Sequence, residues 1–257
     1  MLGFNGGLLG VRKVTTGDAA SGLWFQNEQS IARRASIWPA TGDAYWNNVS
    51  LLLHMNGTNG STTFTDSSTN AFTITANGNA QISTAQSKFG GASGSFDGSG
   101  DYIATPSNSA LAFGTGDFTV ELWLYINSFG GYTTLIGTRP DTSQYSDAWS
   151  IDYNGSGDIY GYSDNIIANS SGALSTGTWA HIALTRSSGT IYIFKNGSLL
   201  NSQANTQNFS RTTLYVGAAG NGGGASNSYI DDVRITKGVA RYTASFTAPT
   251  AAFPDQG

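Results

Sequence analysis

The sequence contains no cysteine, few charges and almost no glutamate. The absence of cysteine excludes disulfides, thiol catalysis and thiolate metal sites. Only 11% of the residues are charged, and all but two of the 16 acidic residues are Asp. Because Glu and Lys favour helices, whereas Asp, Asn, Gly, Ser and Thr favour turns and strand edges, a mainly helical protein is nearly excluded.

Concentrated positive charge and long apolar runs are also absent. The formal net charge is −4, whereas nucleic-acid binding needs a basic face that neutralises phosphates. No apolar run approaches the roughly 20 residues that span a bilayer, and the first residues do not resemble a secretory signal. We therefore expect neither nucleic acid nor a membrane as a partner.

What the sequence does contain is typical of an all-β protein. Hydrophobic residues make up 39% and aromatic residues 12% of the chain, which is enough for a core. From Val49 onward, short strand-like segments are separated by turn signals. Residues 118–126 alternate, with one face formed by Phe118, Val120, Leu122, Leu124 and Ile126 and the other by Thr119, Glu121, Trp123 and Tyr125.

A three-stranded meander is predicted over residues 179–203. Its second turn is Asn196-Gly197, a dipeptide that suits a type I′ hairpin because both central residues need positive φ. The pattern of residues 228–236 predicts the last strand of the domain. The pattern as a whole predicts one antiparallel β-sandwich.

Five segments resemble the laminin-G-like, concanavalin A-like jelly-roll family and follow its order. They are residues 96–103, 118–124, 179–186, 192–197 and 230–236. The resemblance implies that residues 49–236 form a jelly-roll sandwich. It also implies the properties found among its members, which include sugar binding, calcium binding and glycan hydrolysis.

The ends of the chain resemble tailed-phage virion proteins that carry one such domain, over residues 8–12, 32–39, 45–54 and 238–246. This implies a protein assembled in the host cytoplasm and exposed on the particle, as capsid decoration, tail or fibre. Residues 1–48 would then be an arm that anchors the protein to other virion proteins, and 237–257 a tail that packs on the sandwich or a partner. The alternative is that the arm folds back as a strap. A homo-oligomer is expected, since such assemblies are often symmetric.

Catalytic residues are hard to find. Glycosidases need two carboxylates flanking the scissile bond, and glucan-hydrolysing members of the family place them as Glu-x-Asp-x-Glu on one strand. The equivalent stretch here has only Glu121, followed on its face by Trp123 and Tyr125. We interpret His54 and His181 as structural, so the protein is predicted not to be an enzyme.

Calcium is the most credible cofactor, because it accepts oxygen ligands in loop geometry. Asp97 and Asp101 bracket a Gly-Ser-Gly turn, and Asp231 and Asp232 lie in the last strand; the resemblance implies a structural Ca²⁺ held by such residues. On an ideal strand Asp231 would face the core. The alternative is that these carboxylates make Asx turns and accept backbone N–H groups.

Sugar binding would use aromatic faces and amide groups. Aromatic residues crowd the span 132–162, and the predicted glycan-binding residues are Tyr145, Trp149, Tyr153, Tyr160 and Tyr162. The alternative is ordinary cross-strand aromatic pairing. The function predicted from these observations is a non-enzymatic virion appendage that contacts cell-surface or environmental glycans. A free bacterial carbohydrate-binding module and a glycoside hydrolase are the alternatives.

Overall fold

The computed structural model of the protein describes residues 42–256. Two 3-10 helices lie in this part of the chain, at Trp46–Asn48 and Ser109–Leu111. The strands are β1 (Val49–Leu53), β2 (Thr75–Asn77), β3 (Gln81–Ser83), β4 (Ser93–Asp97), β5 (Tyr102–Ala104), β6 (Phe118–Ile126), β7 (Thr133–Gly137), β8 (Ser150–Tyr153), β9 (Ile159–Tyr162), β10 (Ile166–Ser170), β11 (Trp179–Ser187), β12 (Thr190–Lys195), β13 (Ser198–Ala204), β14 (Tyr215–Val216) and β15 (Asn227–Lys237).

The strands form two antiparallel sheets. The larger sheet has the order β13-β12-β11-β6-β15-β4-β3, with β1 also paired to β15, and the smaller sheet has the order β10-β9-β8-β7-β14-β5-β2. The two sheets pack face to face, which confirms the predicted sandwich. The meander and the last strand also lie where the sequence pattern placed them, as β11 to β13 and β15.

The core lies between the sheets and follows the predicted alternation. The inward side chains of β6 belong to one buried cluster with residues of the smaller sheet such as Ile136 and Ile151. At the hairpin between β12 and β13, Asn196 and Gly197 have φ of 50° and 78°. The hairpin therefore has the positive φ values that the Asn-Gly dipeptide predicts.

The last strand departs from ideal alternation at Asp232, which has a φ of 48°. The register of β15 against β6 shifts between Asp231 and Arg234, as expected for a β-bulge. Asp231 consequently pairs with Trp123 on the outer face, whereas Ile230 and Val233 belong to the core. The prediction that Asp231 faces the core was wrong, because the bulge inserts one residue into the pattern.

Residues 238–256, the C-terminal segment, run over the outer face of the larger sheet. Phe246 packs on Phe194 and His181, and the Phe253 amide donates to Asp232 at 2.8 Å. Asp43 donates its backbone N–H to the Gln256 carbonyl at 2.7 Å. The two ends of the described chain therefore meet over the same part of the sandwich.

The predicted arm, residues 1–48, lies outside the described residues except for 42–48. In the part of the chain from residue 42 to 256, no helix is long and apolar enough to cross a membrane.

Candidate functional site

The outer face of the larger sheet has a covered half and an open half. In the covered half, Glu121 accepts two hydrogen bonds from Arg234, at 3.0 and 2.8 Å. Arg234 also donates to Asp43 at 2.9 Å, and Arg241 donates to both oxygens of Asp43. All four side chains are largely shielded from solvent. They form a charged network that holds Asp43 and Arg241, from the two terminal parts of the described chain, against the sheet.

Glu121 is the one carboxylate that sequence analysis compared with a glucanase catalytic residue. It is completely buried, and the Tyr242 hydroxyl donates to it at 3.0 Å. Burial raises its pKa, but the charge of Arg234 and the hydrogen bond with His181 outweigh burial and lower the pKa to about 2. A group held ionised in this way, and inaccessible, cannot serve as a general acid.

The open half carries a row of three half-buried aromatic side chains on adjacent strands. Tyr125 on β6 pairs directly with Trp179 on β11 and with Tyr229 on β15. The ring centroids of Tyr125 and Trp179 are 5.6 Å apart and those of Tyr125 and Tyr229 are 6.0 Å apart. We call these three residues the aromatic row. Its rings are tilted at 58° and 71° to each other, so the row is twisted rather than flat.

Amide and carboxylate groups line the aromatic row towards the end of the sheet. Asn127 donates to Asn227 at 3.0 Å, and Asn79 donates to Asp97 at 3.3 Å. Beside them lies a depression of about 330 Å³, lined by Thr62, Gly78, Asn79, Gln81, Ser95, Asp97 and Asp101. Ser95 is the direct cross-strand partner of Tyr229. Ser95 therefore connects the aromatic row to the polar depression.

Two of the predicted glycan-binding residues lie in the core instead. Trp149 and Tyr153 are each 1% exposed. The Trp149 ring stacks on Phe113 at 5.2 Å, and the Tyr153 hydroxyl is hydrogen-bonded to Ser226. Neither ring face is available to a ligand, so these two assignments are corrected. The alternative interpretation, aromatic packing, describes both.

The other three predicted aromatic residues are half-buried and stay predictions. Tyr160 and Tyr162 lie on the outer face of the smaller sheet with Tyr132, whose centroid is 6.1 Å from that of Tyr160 and 5.8 Å from that of Tyr162. Their hydroxyl groups bond to neighbouring side chains. Tyr145 lies in the loop before β8, where the Arg211 guanidinium covers its ring at 4.1 Å. The smaller sheet thus offers a compact tyrosine cluster rather than a continuous row.

The four aspartates predicted to bind calcium occupy two separate places. Asp101 accepts the Asp97 N–H at 2.9 Å, and Asp97 accepts the Ser99 N–H at 2.8 Å. At the bulge, Asp231 accepts two backbone N–H groups and Asp232 pairs with His54 at 2.7 Å. Among residues 42–256, no group of three or more His, Cys, Asp or Glu is placed to hold a metal ion. Calcium binding stays a prediction.

The three residues of the aromatic row are not among the glycan-binding residues predicted from the sequence. The signals were present: strict alternation placed Tyr125 on the outer face, and Trp179 opens the strand that pairs with it. What the sequence did not reveal is that Tyr229 is in register with Tyr125, because this depends on the order of the strands in the sheet.

The model of the concanavalin A-like lectin/glucanases superfamily matches residues 97–241, more than half of the chain. No curated protein matches the chain in sequence.

Several solved structures share the fold. Domain 4 of AbnA, an extracellular GH43 arabinanase from Geobacillus stearothermophilus solved in complex with arabinotriose, aligns with a TM-score of 0.54 and 18% identity over 75% of this chain and 94% of that chain. The binding domain of Paraclostridial mosquitocidal protein 1 aligns with a TM-score of 0.56 and 16% identity, over 76% of this chain and 50% of that chain. Trypanosoma rangeli sialidase aligns with a TM-score of 0.56 and 14% identity, over 79% of this chain and 32% of that chain.

At these identities the structural likeness extends to the fold alone. The chain spans nearly all of the arabinanase domain but half of the mosquitocidal chain. Together with the two-sheet topology, the match over residues 97–241 identifies the chain as a member of the concanavalin A-like lectin/glucanases superfamily.

Proposed function

We propose that the protein is a non-enzymatic glycan-binding protein that holds a sugar chain on the aromatic row. The observation that carries this proposal is the row itself, three half-buried aromatic rings in register on three adjacent strands. Aromatic rings supply apolar contact area for sugar rings, and the neighbouring amides supply hydrogen bonds for hydroxyl groups. The solved arabinotriose complex of a domain with the same fold supports a sugar as the ligand class.

The twist of the row bears on the type of glycan. Rings tilted at 58° and 71° cannot all lie flat on one crystalline surface. They suit a single soluble chain whose sugar rings turn from one residue to the next. The burial and low pKa of Glu121 support binding without hydrolysis.

The proposal includes display on a virus particle. The resemblance of the terminal segments to phage virion proteins motivates it. The geometry supports it, because the two ends of the described chain, at Asp43 and Gln256, meet over the covered half of the sheet, whereas the aromatic row lies towards the Ile126 end of β6. An anchor at one end and a ligand site at the other suit outward display, and repeated copies would add weak sugar contacts by avidity.

The test is a glycan array probed with the full chain clustered on beads. We expect specific binding by the wild-type protein, loss of binding in Tyr229→Ala, and unchanged binding in the matched control Tyr132→Ala, which removes an exposed tyrosine from the smaller sheet. A blank array from folded wild-type protein would contradict glycan binding. Equal loss in both variants would contradict the choice of site.

Virion association is tested separately. The full chain should co-purify with virus particles, and deletion of residues 1–41 should abolish this association while glycan binding remains. For a free bacterial module, glycan binding would be the whole activity, and deletion of residues 1–41 would leave it unchanged.

A further inference from the structure

Next to the aromatic row, three more side chains occupy the adjacent outward-facing positions of the same strands. Trp123 pairs directly with His181 on β11 and with Asp231 on β15. We call these residues the inner row. All three are buried, although they share the outer face with the aromatic row.

Each residue of the inner row carries a buried polar atom without a hydrogen-bond partner. These atoms are Nε1 of Trp123, Nδ1 of His181 and Oδ1 of Asp231. Buried polar atoms in folded proteins are nearly always paired. A hydroxyl group can both donate and accept, so a ligand rich in hydroxyl groups matches the Trp123 donor and the Asp231 acceptor.

A loop, residues 86–89, covers Trp123 and Asp231 of the inner row, whereas the C-terminal segment packs on His181 through Phe246 and Phe253. Asp231 accepts the backbone N–H groups of Lys88 at 2.7 Å and Phe89 at 3.0 Å. The Lys88 ammonium lies 3.9 Å from the ring centroid of Trp123, and the Phe89 ring meets Trp123 edge-on at 5.8 Å. The loop therefore occupies the face of Trp123 on which a sugar ring would stack.

The loop is not part of either sheet. Its four residues are half-buried and belong to no strand, and Gly90 and Gly91 follow with φ of 63° and 84°. Such a segment can open at a free energy well below that of global unfolding.

We propose that Trp123 and Asp231 of the inner row form a further sugar subsite, closed by the 86–89 loop, which accepts a branch residue of a glycan whose main chain lies on the aromatic row. The position of Trp123 relative to the aromatic row indicates a branched glycan. The aromatic row crosses the strands, whereas Trp123 lies two residues before Tyr125 along β6, so a sugar on Trp123 leaves the main chain at an angle. This inference rests on the proposed glycan-binding function and adds a preference for branched chains.

Hydrogen exchange of the full chain tests the opening of the loop without a ligand. The amides of Lys88 and Phe89 should exchange through local opening, faster than amides of β6 that exchange only on global unfolding. Exchange at the global rate would overturn the proposal.

Paired linear and branched oligosaccharides of arabinan, xylan and glucan then test the ligand class. The wild-type protein should prefer the branched member of the pair that it binds. Phe89→Ala should raise the affinity for that branched member about fivefold by making the open state more populated. It should leave the affinity for the linear member unchanged. Trp123→Leu, with its fold checked by the unfolding midpoint, should remove the branch preference.

Leu200→Ala is the control, because it removes a half-buried apolar side chain near the edge of the same sheet. Equal affinity for linear and branched members, or equal effects of Phe89→Ala and Leu200→Ala, would overturn the subsite and leave the aromatic row intact. A protein that binds neither member of any pair would contradict the proposed function as well.

Discussion

The covered and open halves of the larger sheet's outer face are built from the same strands but differ in chemistry. β6 carries Glu121, Trp123 and Tyr125 on one face, at successive outward positions. Glu121 is sealed beneath the C-terminal segment and neutralised by Arg234, whereas Tyr125 is partly exposed between Trp179 and Tyr229. Trp123 lies at the boundary, beneath a short loop.

Coverage by other segments, rather than strand alternation alone, therefore decides which outward residues of β6 are accessible. The outer face of the larger sheet is divided into a half covered by the C-terminal segment and a half that carries the aromatic row. The charged residues lie under the cover, whereas the aromatic row, which is the proposed binding surface, is half-buried.

The largest loss in the free energy of unfolding is expected from Arg234→Ala, which removes the cation at the centre of the charged network. Arg234→Ala leaves Glu121 and Asp43 buried with reduced compensation, and breaking a buried ion pair in this way costs about 3–5 kcal/mol. The free energy of unfolding from urea titration measures it. Arg211→Ala is the control, since its pair with Asp147 is partly exposed and such a pair contributes about 1 kcal/mol or less. Equal losses of unfolding free energy in the two variants would show that the buried network contributes no more to stability than an exposed ion pair.

The next largest effect is expected at low pH, where protonation of Glu121 should lower the free energy of unfolding. Glu121 has a pKa of about 2 in the folded state, below its ordinary 4.5. A depressed carboxyl pKa stabilises the fold above the ordinary value, and this stabilisation is lost as the pH falls through the folded-state value. We expect the free energy of unfolding to decrease from about pH 4.5 towards pH 2, by an amount on the order of 3 kcal/mol for this group. The Glu121→Gln variant should lose less free energy of unfolding than the wild type over the same pH interval. Identical pH dependence in the two proteins would contradict the lowered pKa of Glu121.

A smaller effect is expected from Gly197→Ala, which tests how the C-terminal segment is held. Gly197 has a φ of 78°, and an added Cβ would lie 2.0 Å from the Phe246 carbonyl oxygen. Backbone strain of this kind costs about 1–3 kcal/mol. The variant should unfold at lower urea concentration, and the amide of Phe246, which donates to the Gly197 carbonyl, should exchange faster. Unchanged exchange at Phe246 would show that the hairpin does not hold the segment.

The smallest effect is expected from chelation. The carboxylate oxygens of Asp97 and Asp101 already accept N–H groups of the protein, so their arrangement does not require a cation. If the predicted calcium site exists, we therefore expect added Ca²⁺ to raise the thermal midpoint only slightly above its value in EDTA. An identical midpoint in EDTA and in Ca²⁺ would contradict the calcium site predicted from the sequence.

Much of the fold could be predicted from local pattern. The alternation over residues 118–126 and the Asn-Gly hairpin depend on neighbours in sequence, and both are as expected. The bulge at Asp232 was not predictable, because a single residue with positive φ changes the faces of those around it without an obvious signal.

The site was harder to predict than the fold. Trp149 and Tyr153 look like ligand-binding aromatics in the sequence, yet packing between the sheets buries them. The aromatic row joins residues 125, 179 and 229, which only strand order brings together. The cover over Glu121 comes from a segment more than a hundred residues later in the chain, and periodicity carries no information about such contacts.

The most direct test of the account is the affinity of the full chain for the glycan that binds it best on the array. Calorimetric titration should show that Trp179→Ala weakens binding at least about tenfold, which corresponds to about 1.4 kcal/mol, while the urea midpoint of unfolding stays close to that of the wild type. An unchanged affinity in this variant would contradict the claim that the aromatic row is the binding surface.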